Sequence, residues 1–173
     1  VARRRGGSGI DPRVVGVMLA KDEADVIGDV VASLVPVLSA LYLLPGDPAT
    51  RAAAEAASPP GWLRVVEGEM TVRADGARQR LLEQARADRL TDEDRRPMWV
   101  MVVQGDEIYV PGGDDDLLRH VRLAERERAT VMTCQVATFL LHEGQRDGWD
   151  WTKPLGDRFT HYIWDFGEHA GFL

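Results

Sequence analysis

The residues best suited to chemistry follow an apolar segment in the middle of the chain. Residues 99–103 read Trp-Val-Met-Val-Val and run directly into Gln104, Gly105, Asp106 and Glu107. Such an apolar run is typical of a buried strand. Adjacent carboxylates at its end can hold a hard cation such as Mg²⁺ or Mn²⁺, which in turn binds a diphosphate. The other interpretation is an inert, solvated acidic turn, and the spacing alone favours that one.

Charged residues also follow two earlier apolar segments. Lys21, Asp22 and Glu23 come after residues 14–20, and Asp47 comes after residues 41–44. Ligands of parallel α/β sheets bind beyond the carboxyl ends of the strands, so we expect these side chains to share one cleft with Asp106. The competing interpretation of Lys21 and Glu23 is favourable electrostatics at the start of a helix.

The elements that must position these residues alternate along the chain. Apolar runs predict strands at residues 14–20, 41–44, 62–66, 99–103 and 129–139. Helical periodicity or alanine-rich composition predicts helices at residues 26–38, 49–57, 73–90 and 114–128. Asp22 or Asp25 is the expected cap of the first helix, and Pro36 is expected to end or bend it. This alternation predicts an α/β fold with a parallel sheet and helices on both of its faces.

Composition limits the class of protein. The chain has 173 residues and a formal net charge of −7, which fits one domain and argues against nucleic acid as the main partner. Its single cysteine, Cys134, excludes an intrachain disulfide and is expected in the core, so we predict a cytoplasmic protein. No apolar run approaches the roughly 18 to 20 residues that span a membrane. Residues 1–12 are expected to be a flexible tail, and both ends are compatible with a piece of a longer protein.

Four short motifs carry a family resemblance. They are Lys-Asp-Glu at 21–23, Ala-Ser-Leu at 32–34, Gly-Ala-Arg-x-x-x-Leu at 76–82 and Gln-Gly-Asp-Glu at 104–107. Their order resembles the family 2 glycosyltransferases of the GT-A fold, over roughly residues 14 to 111. The resemblance implies a GT-A-like three-layer α/β/α sandwich with a mainly parallel central sheet. It also implies one domain over residues 13–173, with a nucleotide-sugar half at 13–111 and an acceptor-side half at 112–173.

The resemblance also implies roles for individual residues. The implied nucleotide-binding residues are Lys21, Asp22, Glu23, Asp47, Arg78 and Gln104. The implied metal ligands are Asp106 and Glu107, for Mn²⁺ or Mg²⁺, and the candidate general bases, by order only, are Asp165 and Glu168. The chain departs from the family pattern at Gln104, where an aspartate is usual, and at Asp47, which only approximates the aspartate that usually ends the second strand. A solvated helix face is an equal alternative for Arg78.

The expected function is transfer of a sugar from a nucleotide-diphosphate donor to a hydroxyl of an unknown acceptor, which is a glycan, a protein or a small molecule. One alternative is a catalytically silent domain that binds nucleotide sugars or serves interactions. The other is a nucleotidyltransferase, which lacks support because no Gly-rich loop follows the first strand.

Other candidate features have simpler explanations. Residues 112–116 read Gly-Gly-Asp-Asp-Asp, which is best explained as acids at a helix start. The histidines at 142, 161 and 169 lack the companions of a zinc site. The tryptophans between residues 149 and 164 either stack on sugar or pack the edge of the sheet.

Overall fold

The computed structural model describes residues 13–70, 74–91, 98–109, 114–129, 131–137 and 158–165. The strands in these ranges are β1 (Arg13–Ala20), β2 (Ala40–Pro45), β3 (Leu63–Val65), β4 (Met98–Gln104), β5 (Val131–Ala137) and β6 (Arg158–Asp165). The helices are α1 (Ile27–Leu34), α2 (Pro48–Ala57), α3 (Ala74–Thr91) and α4 (Asp114–Arg126). Among the helices so described, none is long and apolar enough to cross a membrane.

The six strands form one sheet in the order β3-β2-β1-β4-β6-β5. The pairs β3–β2, β2–β1 and β1–β4 are parallel, which confirms the sequence prediction for the first four strands. Strand β6 is antiparallel to both β4 and β5. The sequence analysis assigned no element after residue 140, so it missed this strand.

Helices pack on both faces of the sheet. One buried cluster joins the β1 side chains Val14 and Met18 to residues of α1, α2 and α4, and it includes the fully buried Trp99. A second cluster joins Val15 and Val17 of the same strand to α3. Successive side chains of a strand point to opposite faces, so a strand covered on both sides reads as one continuous apolar run. This is why β1 was recognisable from its sequence.

The start of α1 differs from the prediction. Its N-cap is Val26, which makes no side-chain capping hydrogen bond, so the expected cap at Asp22 or Asp25 is wrong. The reason is a turn before the helix, in which the Glu23 carbonyl accepts hydrogen bonds from the amides of Val26 (3.1 Å) and Ile27 (2.8 Å). The helix therefore begins after both aspartates. The helix stops at Leu34, just before Pro36, which was expected to end or bend it, and so falls short of residue 38, the end of the predicted range.

Gly76 in α3 offers a first test of the structure. A Cβ at this exposed helical position would meet no atom within 4 Å. Alanine loses less conformational entropy than glycine on folding into a helix, so Gly76→Ala should raise the free energy of unfolding by about 0.5 to 1 kcal/mol. Urea denaturation measures this change. A loss of stability would place Gly76 outside a regular, solvent-facing helix turn.

Candidate functional site

The carboxyl ends of three neighbouring strands meet at one edge of the sheet. In the register of the sheet, Ala20 of β1 lies opposite Pro45 of β2, and Leu19 lies opposite Gln104 of β4. The segments that follow these strands, residues 21–23, 46–47 and 105–107, therefore leave the sheet side by side. This is the edge at which the sequence analysis expected a cleft.

The turn after β1 is held from β2 and α2. Asp22 has a backbone φ of 59°, which lies in the left-handed region that non-glycine residues seldom adopt. The Asp22 amide donates to Asp47 Oδ2 at 2.8 Å, and the Glu23 amide donates to Thr50 Oγ1 at 3.1 Å. Thr50 is completely buried. The residues at 22 and 23 are thus fixed to the first turn of the neighbouring helix.

Asp47 is the N-cap of α2. Its Oδ1 accepts from the Thr50 amide at 2.8 Å, and its Oδ2 accepts from the Thr50 hydroxyl at 2.7 Å. The hydrogen bonds from the Thr50 hydroxyl, the Thr50 amide and the Asp22 amide lower the pKa of Asp47 to about 2. These bonds explain the position of the Asp47 carboxylate without a bound nucleotide. The contact between Asp47 and a nucleotide stays a prediction. The sequence carries a signal for this cap, since Asp47 is followed by proline at the first helical position.

Glu23 is the most unusual group at this edge. Its Oε2 is buried and has no hydrogen-bond partner among the described residues. A Cβ at Gly105 would overlap this carboxylate, so the side chain lies directly against the glycine. Burial and, after it, the charges of Asp106 and Asp47 together raise the pKa of Glu23 to about 7. A charged, unpaired oxygen buried among other acids is costly, and either a proton or a bound cation would relieve that cost.

Asp106 and Glu107 follow Gly105 in a turn. Asp106 is exposed, Glu107 is half-buried, and the Glu107 amide donates weakly to the Gln104 carbonyl at 3.4 Å. Further along, the Tyr109 amide donates to Ser33 Oγ of α1 at 2.9 Å and ties the end of this segment to the helix. The chain therefore turns at Gly105. Because of this turn, Asp106 and Glu107 need not point to opposite faces as successive residues of a strand do.

The cations predicted for the site lie at different places. Lys21 runs along Gly46, where a Cβ would come within 2.5 Å of Lys21 Cγ. Arg78 is half-buried on α3, and its nucleotide contact stays a prediction. A further cation, Arg80 of the same helix, places Nη1 at 2.7 Å from the position that a Cβ would take at Gly68. Gly68 follows β3, so Arg80 reaches the same edge of the sheet.

One candidate general base, Asp165, lies away from this edge. Asp165 lies opposite Trp99 in the antiparallel pair of β6 and β4, close to the amino end of β4. Trp99 and Gln104 are about 17 Å apart along the strand, at about 3.3 Å per residue. The backbone of Asp165 therefore lies toward the other end of the sheet from Asp106, and its role as a general base stays a prediction. Glu168 lies outside the described residues.

The part of the chain that the structure describes contains no group of three His, Cys, Asp or Glu side chains able to hold a metal. Glu23 and Asp106 interact electrostatically and supply two carboxylates at most. The protein alone would bind a divalent cation weakly with such a set, because Mg²⁺ and Mn²⁺ favour six oxygen ligands. Further oxygens would have to come from a bound diphosphate and from water.

The raised pKa of Glu23 predicts how stability depends on pH. The carboxyl has an ordinary pKa of 4.5 and titrates at about 7 in the folded chain, so the folded state holds more protons between these values. The contribution of Glu23 to stability therefore falls as the pH rises from about 4.5 to about 7, by on the order of 1 to 2 kcal/mol after solvent screening. Glu23→Gln should be more stable than the wild type at pH 8 and nearly equal to it at pH 4.5. Urea denaturation in EDTA measures both, and a difference that does not vary with pH would contradict the placement of Glu23.

Comparisons with known proteins leave the family undetermined. No family model matches this chain, and no curated protein matches it. The function is therefore inferred from the geometry of this edge of the sheet.

Proposed function

We propose that this chain is a glycosyltransferase that moves a sugar from a nucleotide-diphosphate donor to an acceptor hydroxyl with the help of Mn²⁺ or Mg²⁺. The observation that carries the proposal is the buried, unpartnered oxygen of Glu23, which lies against Gly105 and next to Asp106. It stands at the carboxyl edge of parallel strands, where α/β sheets bind their ligands.

The residues at this edge fit a divalent cation in their chemistry, since two carboxylates interact electrostatically and one oxygen lacks a partner among the described residues. Glu23 and Asp106 would hold the ion, with Glu107 as a weaker contributor. When bound, the ion would neutralise the charge that develops on the leaving diphosphate. Gln104 is a poor metal ligand, and we assign it a hydrogen bond to a ribose hydroxyl of the donor.

The sheet supports a GT-A-like arrangement in two ways. Four parallel strands carry the proposed donor site at one edge, and helices cover both faces. Strand β6 is antiparallel to both β4 and β5, so β5 runs in the same direction as β4. Strand β5 therefore ends, and β6 begins, at this same edge. The acceptor-side half of the chain would thus enter next to the donor. A carboxylate from that half would deprotonate the acceptor, and Asp165 is poorly placed for it.

A second candidate is a domain that binds a nucleotide sugar without turning it over. The bonding of Asp47 favours it, because that carboxylate already accepts from Thr50 and Asp22. So does Gln104, an amide at a position where the family resemblance implies an aspartate. Both candidates predict binding of a nucleotide diphosphate, and they differ only in turnover.

Product analysis separates these candidates. Purified protein is incubated with a panel of nucleotide sugars and Mn²⁺, and the release of nucleoside diphosphate and of free sugar is followed by chromatography. A transferase should release nucleoside diphosphate slowly by donor hydrolysis, with loss of the product in EDTA and in Asp106→Asn. Binding of nucleotide without release would support the silent domain. A second incubation supplies nucleoside triphosphates and sugar 1-phosphates in place of nucleotide sugars. Release of pyrophosphate there, with formation of a nucleotide sugar, would indicate a nucleotidyltransferase and overturn the proposal.

A further inference from the structure

We infer that Asp47 and Thr50 are positioning residues, which hold Glu23 against Gly105 by fixing the backbone of the turn at Asp22 and Glu23. This inference gives Asp47 a different task from the nucleotide contact expected from the sequence. Its consequence for ligand binding rests on the proposed function, whereas the holding of the turn does not.

The geometry of the turn carries the inference. Two successive backbone amides, those of Asp22 and Glu23, donate to the side chains of Asp47 and Thr50 at 2.8 and 3.1 Å. The two acceptors are themselves joined, since the Thr50 hydroxyl donates to Asp47 Oδ2 at 2.7 Å. The turn after β1 is therefore bound to one unit at the start of α2.

A cap alone does not need this arrangement. One carboxylate oxygen of Asp47 bonds the Thr50 amide, which is the ordinary task of an N-cap. The other oxygen serves the Asp22 amide, 25 residues away along the chain. Serine or asparagine would cap α2 equally well. A serine or asparagine side chain offers no second acceptor oxygen for the Asp22 amide. The contact with Asp22 is therefore what the carboxylate of Asp47 adds to the cap.

The held turn has a defined effect on Glu23. Asp22 adopts a left-handed backbone conformation with a φ of 59°. This conformation costs free energy in a non-glycine residue, so it persists only where the surrounding structure holds it. With the backbone in this conformation, the carboxylate of Glu23 lies against Gly105. Its Oε2 is buried and has no hydrogen-bond partner among the described residues. Release of the two amides would let Asp22 relax and Glu23 swing into solvent. The pair of carboxylates proposed for the cation would then separate.

The variants separate capping from positioning. Asp47→Asn keeps an acceptor for the cap and loses the second one, since the amide group must donate. Thr50→Val keeps the shape of this buried residue and removes its hydroxyl, whereas Thr50→Ser keeps the hydroxyl. Ser58→Ala is the matched control, because it removes a hydroxyl that bonds the Ala54 carbonyl at the far end of the same helix.

Two readouts are measured on each full-length variant. Amide hydrogen exchange by NMR follows Asp22 and Glu23 without any ligand. Calorimetry follows uridine and guanosine diphosphate in the presence of Mn²⁺. In Asp47→Asn and Thr50→Val, exchange at these amides should rise about tenfold, and the affinity for the bound nucleotide should fall about tenfold, as expected for one or two lost hydrogen bonds. Thr50→Ser and Ser58→Ala should resemble the wild type in both readouts.

The outcomes bear separately on the two ideas. Unchanged exchange at Asp22 and Glu23 in Asp47→Asn and Thr50→Val overturns the inference, whatever the nucleotide does. Faster exchange with unchanged affinity overturns the positioning role. If the wild type binds neither nucleotide, the proposed function is contradicted, and the exchange data still decide whether Asp47 and Thr50 hold the turn.

Discussion

Gly105→Ala should weaken the binding of a Mn²⁺–nucleotide diphosphate complex by at least about tenfold and destabilise the fold. The new Cβ would overlap the Glu23 carboxylate and lie 2.8 Å from the Cβ of Ala20. Glu23 can rotate away, but Ala20 is fixed on β1, so the end of β4 must shift as well. Overpacking of this kind costs about 1 to 3 kcal/mol. Calorimetry measures the loss of affinity, and urea denaturation measures the loss of stability.

The control for this prediction is the same chemical change at Gly76, where a Cβ meets nothing within 4 Å. Gly76→Ala should leave nucleotide binding as it is in the wild type. If Gly105→Ala binds the nucleotide with wild-type affinity and keeps full stability, then Glu23 does not lie against Gly105, and the site described here does not exist.

Asp106→Asn should remove most metal-dependent nucleotide binding, and Glu107→Gln should remove much less. Asp106 is the carboxylate whose charge raises the pKa of Glu23 most, and it is exposed at the edge, whereas Glu107 is half-buried. Loss of even an outer partner of a metal ligand costs about 10- to 100-fold in affinity, so loss of a direct ligand should cost at least that. Glu107→Gln should cost less than about tenfold.

The electron paramagnetic resonance signal of free Mn²⁺ measures this difference. In the presence of nucleotide diphosphate, added wild-type protein should reduce the free signal, Glu107→Gln should reduce it nearly as much, and Asp106→Asn should leave it almost unchanged. The reverse order of the two variants would make Glu107 the principal ligand. Equal signals for all three proteins would argue against a metal at this place.

Much of the fold could be predicted because its strands are buried on both faces. Continuous apolar runs mark β1 and β4, and amphipathic or alanine-rich segments mark the helices between them. Strand β6 escaped prediction because residues 158–165 mix charged, polar and aromatic types without a clear period, and its pairing with β4 joins distant parts of the chain. The register that takes Asp165 away from Asp106 follows only from that pairing.

The residues gathered at this edge of the sheet could be predicted from the sequence, but their hydrogen bonds could not. The rule that ligands gather at the carboxyl ends of parallel strands selected Glu23, Asp47 and Asp106. The sequence could not reveal that Asp47 bonds to the Asp22 amide, since that contact depends on how two loops meet. Nor could it reveal the unpartnered oxygen of Glu23, which depends on the close approach of Gly105.

Calorimetry of a nucleoside diphosphate with and without Mn²⁺ tests the central claim most directly. Glu23 and Asp106 alone offer too few oxygens to hold the ion firmly, so metal and nucleotide should bind cooperatively. We expect the nucleotide to bind at least about tenfold more tightly with Mn²⁺ than in EDTA, and Mn²⁺ to bind weakly without nucleotide. Equal nucleotide affinity in both conditions, unchanged by Asp106→Asn, would contradict a metal-assisted donor site at this edge of the sheet.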